Sequence, residues 1–183
     1  LQWFKLKISG THDQDVERLR TIASLLMEKV GTSAKVTIDG NEQYDSMASL
    51  LTTLEVTQSS DEGAWLLDRL LCIEQPLSRT MTFDPDRVDG IDRVQTIAPV
   101  IIDESDHGID AFPSAVALGY RGVSIKNCKG VIRALINRAR CDFGPPGLMQ
   151  TAEDLTNLPI VALQQDLCTA TTLGMSHIER NGH

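Results

Sequence analysis

Phe4-Lys5-Leu6-Lys7-Ile8-Ser9-Gly10 is a short apolar strand that carries two lysines one residue apart. Alternation along a strand puts Lys5 and Lys7 on one face and Phe4 and Leu6 on the other. Ammonium groups this close repel, so one of them should lose its proton more readily than a free lysine. A lysine tuned in that way can take a proton from carbon. Standing alone, the pair would suit a solvated edge strand equally well.

Outward from that strand, short β-rich runs alternate with helical patterns along all 183 residues. A helix is expected near Asp15–Val30, where Leu19, Ile22, Ala23 and Leu26 keep a 3.6-residue period. Ala34–Ile38 reads as a strand and Tyr44–Leu54 as a helix. Thr57–Gly63 reads as a polar break, Ala64–Leu70 as a short helix, and Leu71–Glu74 as a strand. Then come a helix at Asp84–Ile97, a strand at Pro99–Ile102, a helix at Phe112–Leu118 and a strand at Val123–Ile125. Val131–Ala139 is helical, Leu148-Met149 is a short apolar run, Leu155–Leu173 is helical, and His177–Glu179 begins a last strand. This beat predicts right-handed βαβ units and a parallel sheet. Seven strand candidates suit an incomplete TIM-type (β/α) barrel over residues 1–183 better than an open sheet. Neither GxGxxG nor a P-loop is present to mark a doubly wound nucleotide fold.

Composition narrows the function classes. A net charge of −8 and 4% aromatics argue against nucleic acid as a partner. No apolar run has membrane-spanning length. Cys72, Cys128, Cys141 and Cys168 are scattered without a CxxC pair, as expected of reduced, mostly buried thiols in a cytoplasmic protein. A start at Leu1 inside a strand-like segment, with a polar end at His183, suggests a fragment of a longer polypeptide.

In a barrel the chemistry belongs at the C-terminal ends of the strands. Those ends carry Lys5 and Lys7, then Asp39, Glu74, Asp103 and Lys126, each after hydrophobic neighbours. Closure of the barrel makes them converge. Three carboxylates in one pocket repel and hold protons unless a cation neutralises them. All-oxygen ligation selects a hard cation, and Mg²⁺ is the natural choice. Three carboxylates, one divalent cation and three protonated lysines leave two net positive charges, which suits a small carboxylate substrate. Lys7 and Lys126 would flank it, one removing a proton beside the carboxylate and the other delivering one. Lys5 would keep the Lys7 pKa low and help to bind the developing anion.

The ordered set Lys5-Leu-Lys7, Asp39-Gly-Asn41-Glu42, Glu74-Gln75-Pro76, Asp103-Glu104-Ser105 and Lys126 resembles the enolase superfamily, in its muconate-lactonising branch. The steps of 32, 35, 29 and 23 residues between Lys7, Asp39, Glu74, Asp103 and Lys126 are each about one α/β unit. The resemblance implies Mg²⁺ on Asp39, Glu74 and Asp103, and acid/base work by Lys7 and Lys126. It also implies a homo-oligomer, and an N-terminal capping domain and first barrel strand that are absent here. The expected outcome is racemisation, epimerisation or cycloisomerisation. Water elimination from the same intermediate and a catalytically silent scaffold stay open. Two features depart from relatives: Leu148-Met-Gln-Thr151 has no histidine base, and His177-Ile-Glu-Arg180 stands where dipeptide epimerases carry Asp-x-Asp. Asn41 and Gln75 suit partners that orient the carboxylates. Glu179 and Arg180 suit the pocket rim, with Arg180 holding a distal carboxylate. Glu153 and Asp154 read as the start of the helix at Leu155. Glu104 and Asp106 read as solvated or orienting groups, and His12, His107 and His183 as loop residues. His177 is a candidate to line the site.

Overall fold

Residues 2–153 and 160–179 are described by the computed structural model. Six strands form one parallel sheet in sequence order: β1 (Trp3–Lys7), β2 (Lys35–Asp39), β3 (Leu70–Glu74), β4 (Val100–Ile102), β5 (Gly122–Ile125) and β6 (Met149–Ala152). Parallel neighbours need crossovers, and helices supply each of them. These are α1 (His12–Lys29), α2 (Met47–Gln58) with α3 (Asp61–Leu67), α4 (Pro85–Val88) with α5 (Ile91–Val94), α6 (Ala111–Ala117) and α7 (Val131–Phe143). α8 (Val161–Thr172) follows β6. Because every crossover returns the chain to the same end, all strands finish on one rim.

Alternation along the strands sorts the core. Leu6, Val36, Ile38, Ile73, Val100, Ile102 and Val123 are buried against Leu19, Ala23, Leu50, Leu54 and Leu66 of the helices. The opposite face carries Lys5, Thr37, Cys72, Ser124 and Thr151, the layer that leads up to the ionisable rim. Two serines start helices as expected of caps: Ser46 accepts from the Ser49 amide at 3.2 Å, and Ser60 from the Gly63 amide at 3.1 Å.

Several expectations are corrected. Asp84–Ile97 is two short helices, because Gly90 turns the chain at φ 86° between them. The break at Thr57–Gly63 is only the α2–α3 junction. Tyr44 does not start a helix but bridges Leu77 beside the β2–β3 ends. The strand at His177–Glu179 is, among the described residues, a single parallel bridge from Glu179 to Glu153 that continues the sheet past β6. Asp154, the beginning of the helix at Leu155, Arg180 and His183 lie outside the described residues. The four cysteines are free, but only Cys72 is buried; Cys128 and Cys168 are exposed because they lie on the solvent side of a turn and of α8. No helix among the described residues is long and apolar enough to cross a membrane.

Candidate active site

Strand pairing builds the site directly. Lys7 lies opposite Asp39, and Asp39 opposite Glu74. Glu74 pairs with Ile101, which puts Asp103 just past the end of β4 on the same face. Lys126 follows β5 and Glu153 follows β6. One rim thus brings together Lys5, Lys7, Asp39, Glu74, Asp103 and Lys126.

Lys5 sits at the centre, with its side chain only 10% exposed. Its Nζ lies 2.9 Å from Asp39 Oδ2, 2.8 Å from Glu74 Oε2 and 2.9 Å from Glu153 Oε2, and it also pairs with Glu179. Burial opposes the charge, but Glu74, Asp39 and Glu179 outweigh it and hold the ammonium well above the ordinary lysine range. Lys7 is 48% exposed and lies 2.5 Å from the same Asp39 oxygen. The two ammonium groups therefore share a carboxylate rather than facing each other bare. Lys126 holds Asp103 Oδ2 at 2.7 Å and also pairs with Glu153.

The loops after β2 and β3 are fixed by backbone strain and a buried amide. Asn41, Glu42 and Gln75 have φ of 43°, 66° and 36°, a left-handed conformation that non-glycine residues adopt only where the surroundings impose it. Gly40 is required by close approach, since a Cβ there would fall 2.6 Å from Pro76 Cα. Asn41 orients Asp39 with its backbone, its amide donating to Oδ1 at 2.9 Å. Gln75 Oε1 accepts from the amides of Asp103 at 2.7 Å and Ser105 at 3.1 Å. Its Nε2 lies within bonding distance of the Leu77 carbonyl and the Ser105 and Thr82 hydroxyls. Gln75 therefore ties the end of β3 to that of β4 and sets the Asp103 backbone.

Glu74 carries the strongest electrostatic signal. Its side chain is buried, and Oε1 has no hydrogen-bond partner. Burial raises its pKa, Lys5 pulls it back, and the charges of Asp39 and Asp103 raise it again; the balance stands at about 7. For Asp103, burial is outweighed by Lys129 and Lys126, and its carboxyl is held below the usual range. A buried, orphaned carboxylate oxygen between two acids is the environment a divalent cation relieves. Asp39, Glu74 and Asp103 offer the carboxylate oxygens a hard cation takes, but among the described residues Asp39 and Asp103 do not join Glu74 in a group of ligating spacing. Among the described residues, the carboxylates whose oxygens all lie within 4.8 Å of one another are Glu74, Glu153 and Glu179.

Two participants were not expected. Glu153 is no helix start: it is buried in the rim and bridges Lys5 and Lys126. The strand-end rule applied to Ala152-Glu153 would have found it. Lys129 grips Asp103 Oδ1 at 2.6 Å, and its only sequence signal is its place three residues after Lys126. Glu179 faces the pocket through Lys5, and His177 stacks on Trp3 at 4.4 Å in a groove that reaches Lys5. Asp106 is buried rather than solvated, beside Arg133. Glu104 is half-buried, its carboxyl raised by burial and by Asp103. His12 starts α1, bonded to Thr53, rather than lying in a loop.

No protein-family model and no curated protein sequence matches the chain. Solved structures do. N-succinyl Arg/Lys racemase from Bacillus cereus is 23% identical with a TM-score of 0.75, over 98% of this chain and 44% of that one. Dipeptide epimerase from Methylococcus capsulatus, complexed with Mg ion, is 22% identical with a TM-score of 0.72, over 100% and 48%. Muconate lactonizing enzyme from Pseudomonas putida is 23% identical with a TM-score of 0.69, over 97% and 46%. The chain spans less than half the length of each. The chain shares the fold of these three enzymes over nearly its whole length.

Proposed function

We propose that residues 1–183 are the incomplete (β/α) barrel of an enolase-superfamily isomerase, with about seven of eight strands, acting on a small carboxylate in the cytoplasm. The observation that carries this is the rim itself: Lys7 on β1 and Lys126 after β5 stand on either side of Asp39, Glu74 and Asp103. Asp39, Glu74 and Asp103 would hold Mg²⁺, which neutralises charge on a substrate carboxylate. Lys7 or Lys126, as the free amine, removes the proton on the adjacent carbon. The opposite lysine, as ammonium, returns a proton to the resulting enediolate. Lys5 does neither, since four carboxylates hold its proton; it stabilises the negative charge as it develops. Return from the opposite side to the same carbon gives racemisation or epimerisation, whereas loss of a neighbouring hydroxyl gives the dehydratase alternative.

Metal placement has a second reading, supported by the 4.8 Å grouping of Glu74, Glu153 and Glu179. Asp39→Asn abolishes Mg²⁺ binding in the first reading and spares it in the second; Glu153→Gln does the reverse. The partners are a small carboxylate and further copies of the chain; neither nucleic acid nor a membrane enters this reading. Activity is tested by Mg²⁺-dependent deuterium incorporation from solvent, using the whole protein with dipeptides and N-succinyl amino acids. Incorporation that falls at least about 1,000-fold in Lys7→Ala or Lys126→Ala supports it. No incorporation with any α-substituted carboxylate would sink it.

A further inference from the structure

A turn of 3-10 helix, Asn127–Lys129, follows β5 and carries a lysine to which the proposed proton transfer gives no role. Lys129 Nζ lies 2.6 Å from Asp103 Oδ1, 2.7 Å from the Asp103 carbonyl and 2.9 Å from the Ser124 carbonyl. An ammonium has three protons, and each has an acceptor here. Lys126 holds the other carboxylate oxygen of Asp103, and Gln75 accepts from the Asp103 amide. Every polar atom of Asp103 thus has a partner, and Lys129 accounts for two of the four.

The two lysines of this turn differ in what they hold. Both partners of Lys126 are carboxylates, on Asp103 and Glu153. Lys129 instead serves two backbone carbonyls at the ends of β4 and β5. Lys129 therefore spans the two strand ends, as Lys126 does not.

We propose that Lys129 is a positioning residue: its ammonium ties the end of β4 to β5 through Asp103 and Ser124 and fixes the Asp103 carboxylate. The consequence for metal rests on the assignment of Asp103 as a cation ligand. Charge alone predicts one sign there, since removing a positive group beside a cation site strengthens attraction for the ion. Positioning predicts the opposite sign.

The test uses Lys129→Met, with Lys129→Gln as a second variant that keeps a donor, and has two readouts. In metal-free protein, hydrogen exchange at the Asp106 and Gly130 amides, which bond to the Asp103 and Asn127 carbonyls, rises about tenfold or more. Amides of β1 and β2 are unchanged. In Mn²⁺ titration, affinity weakens about 10- to 100-fold, the range for groups that orient a metal ligand. Unchanged exchange overturns the tie, and so does global loss of protection in both variants, which makes Lys129 a general stabiliser. Mn²⁺ binding that is unchanged or tighter overturns the positioning role. If the native protein takes no Mn²⁺, the metal assignment falls while the exchange result alone decides Lys129.

Discussion

Glu74 shows how a single residue joins stability to function. Its carboxyl rises from 4.5 to about 7 in the fold, so the native state keeps a proton that the unfolded chain gives up. The stabilisation from that proton is complete below about pH 4.5 and is lost as the pH rises through about 7. A metal ligand must be ionised, so a divalent cation competes with the proton. Binding at roughly pH 6 therefore releases close to one proton, and affinity falls about tenfold per pH unit below 7. Titration calorimetry in buffers of different ionisation heat measures this directly; no proton release near pH 6 would show that Glu74 is not a ligand. The ionisable strand ends were legible in the sequence because each follows an apolar run. Of Lys5's four partners, Asp39, Glu74 and Glu179 were placed at the pocket from the sequence, whereas Glu153 was not, because its place before Leu155 reads as a helix start.

At the scale of elements, the loops after the strands hold the rim in place. Asp15 on α1 is buried and accepts from the Ser9 amide and hydroxyl, the Gly10 amide and the Tyr44 hydroxyl, at 2.8 to 2.9 Å. It fastens the turn after β1, and so Lys7, to the α1 helix and to the segment after β2. Asp15→Ala strands those donors and is expected to cost about 2–4 kcal/mol, read from urea unfolding; a loss below about 0.5 kcal/mol would mean that the turn is held by packing alone. The helix–strand beat could be read from periodicity, as β2, β4 and α1 show. Breaks within it were harder to see. The split at Gly90 hides inside a run whose apolar spacing still looks helical, and Tyr44 looks like a helix residue until Leu77 comes alongside.

For the whole molecule, the parallel order β1 to β6 explains why residues from Lys5 to Glu153 share one rim. The outer surface carries a separate feature. Ile132 and Phe143 on α7 are 66% and 89% exposed, an apolar stripe of the kind that covers itself by association. We predict that the chain sediments as an oligomer at tens of micromolar and that Ile132→Ser with Phe143→Ser shifts it to monomer. A native monomer would remove homo-oligomerisation from the proposed function. The sequence did not show this surface, since α7 keeps an ordinary helical pattern and only the fold reveals which side is left bare.

Crystals soaked in Mn²⁺ and measured at its absorption edge would locate the cation by anomalous scattering. The account predicts one peak bounded by carboxylate oxygens of Asp39, Glu74 and Asp103, with Lys7 and Lys126 on either side. A peak among Glu74, Glu153 and Glu179, or no peak at the rim, would contradict it.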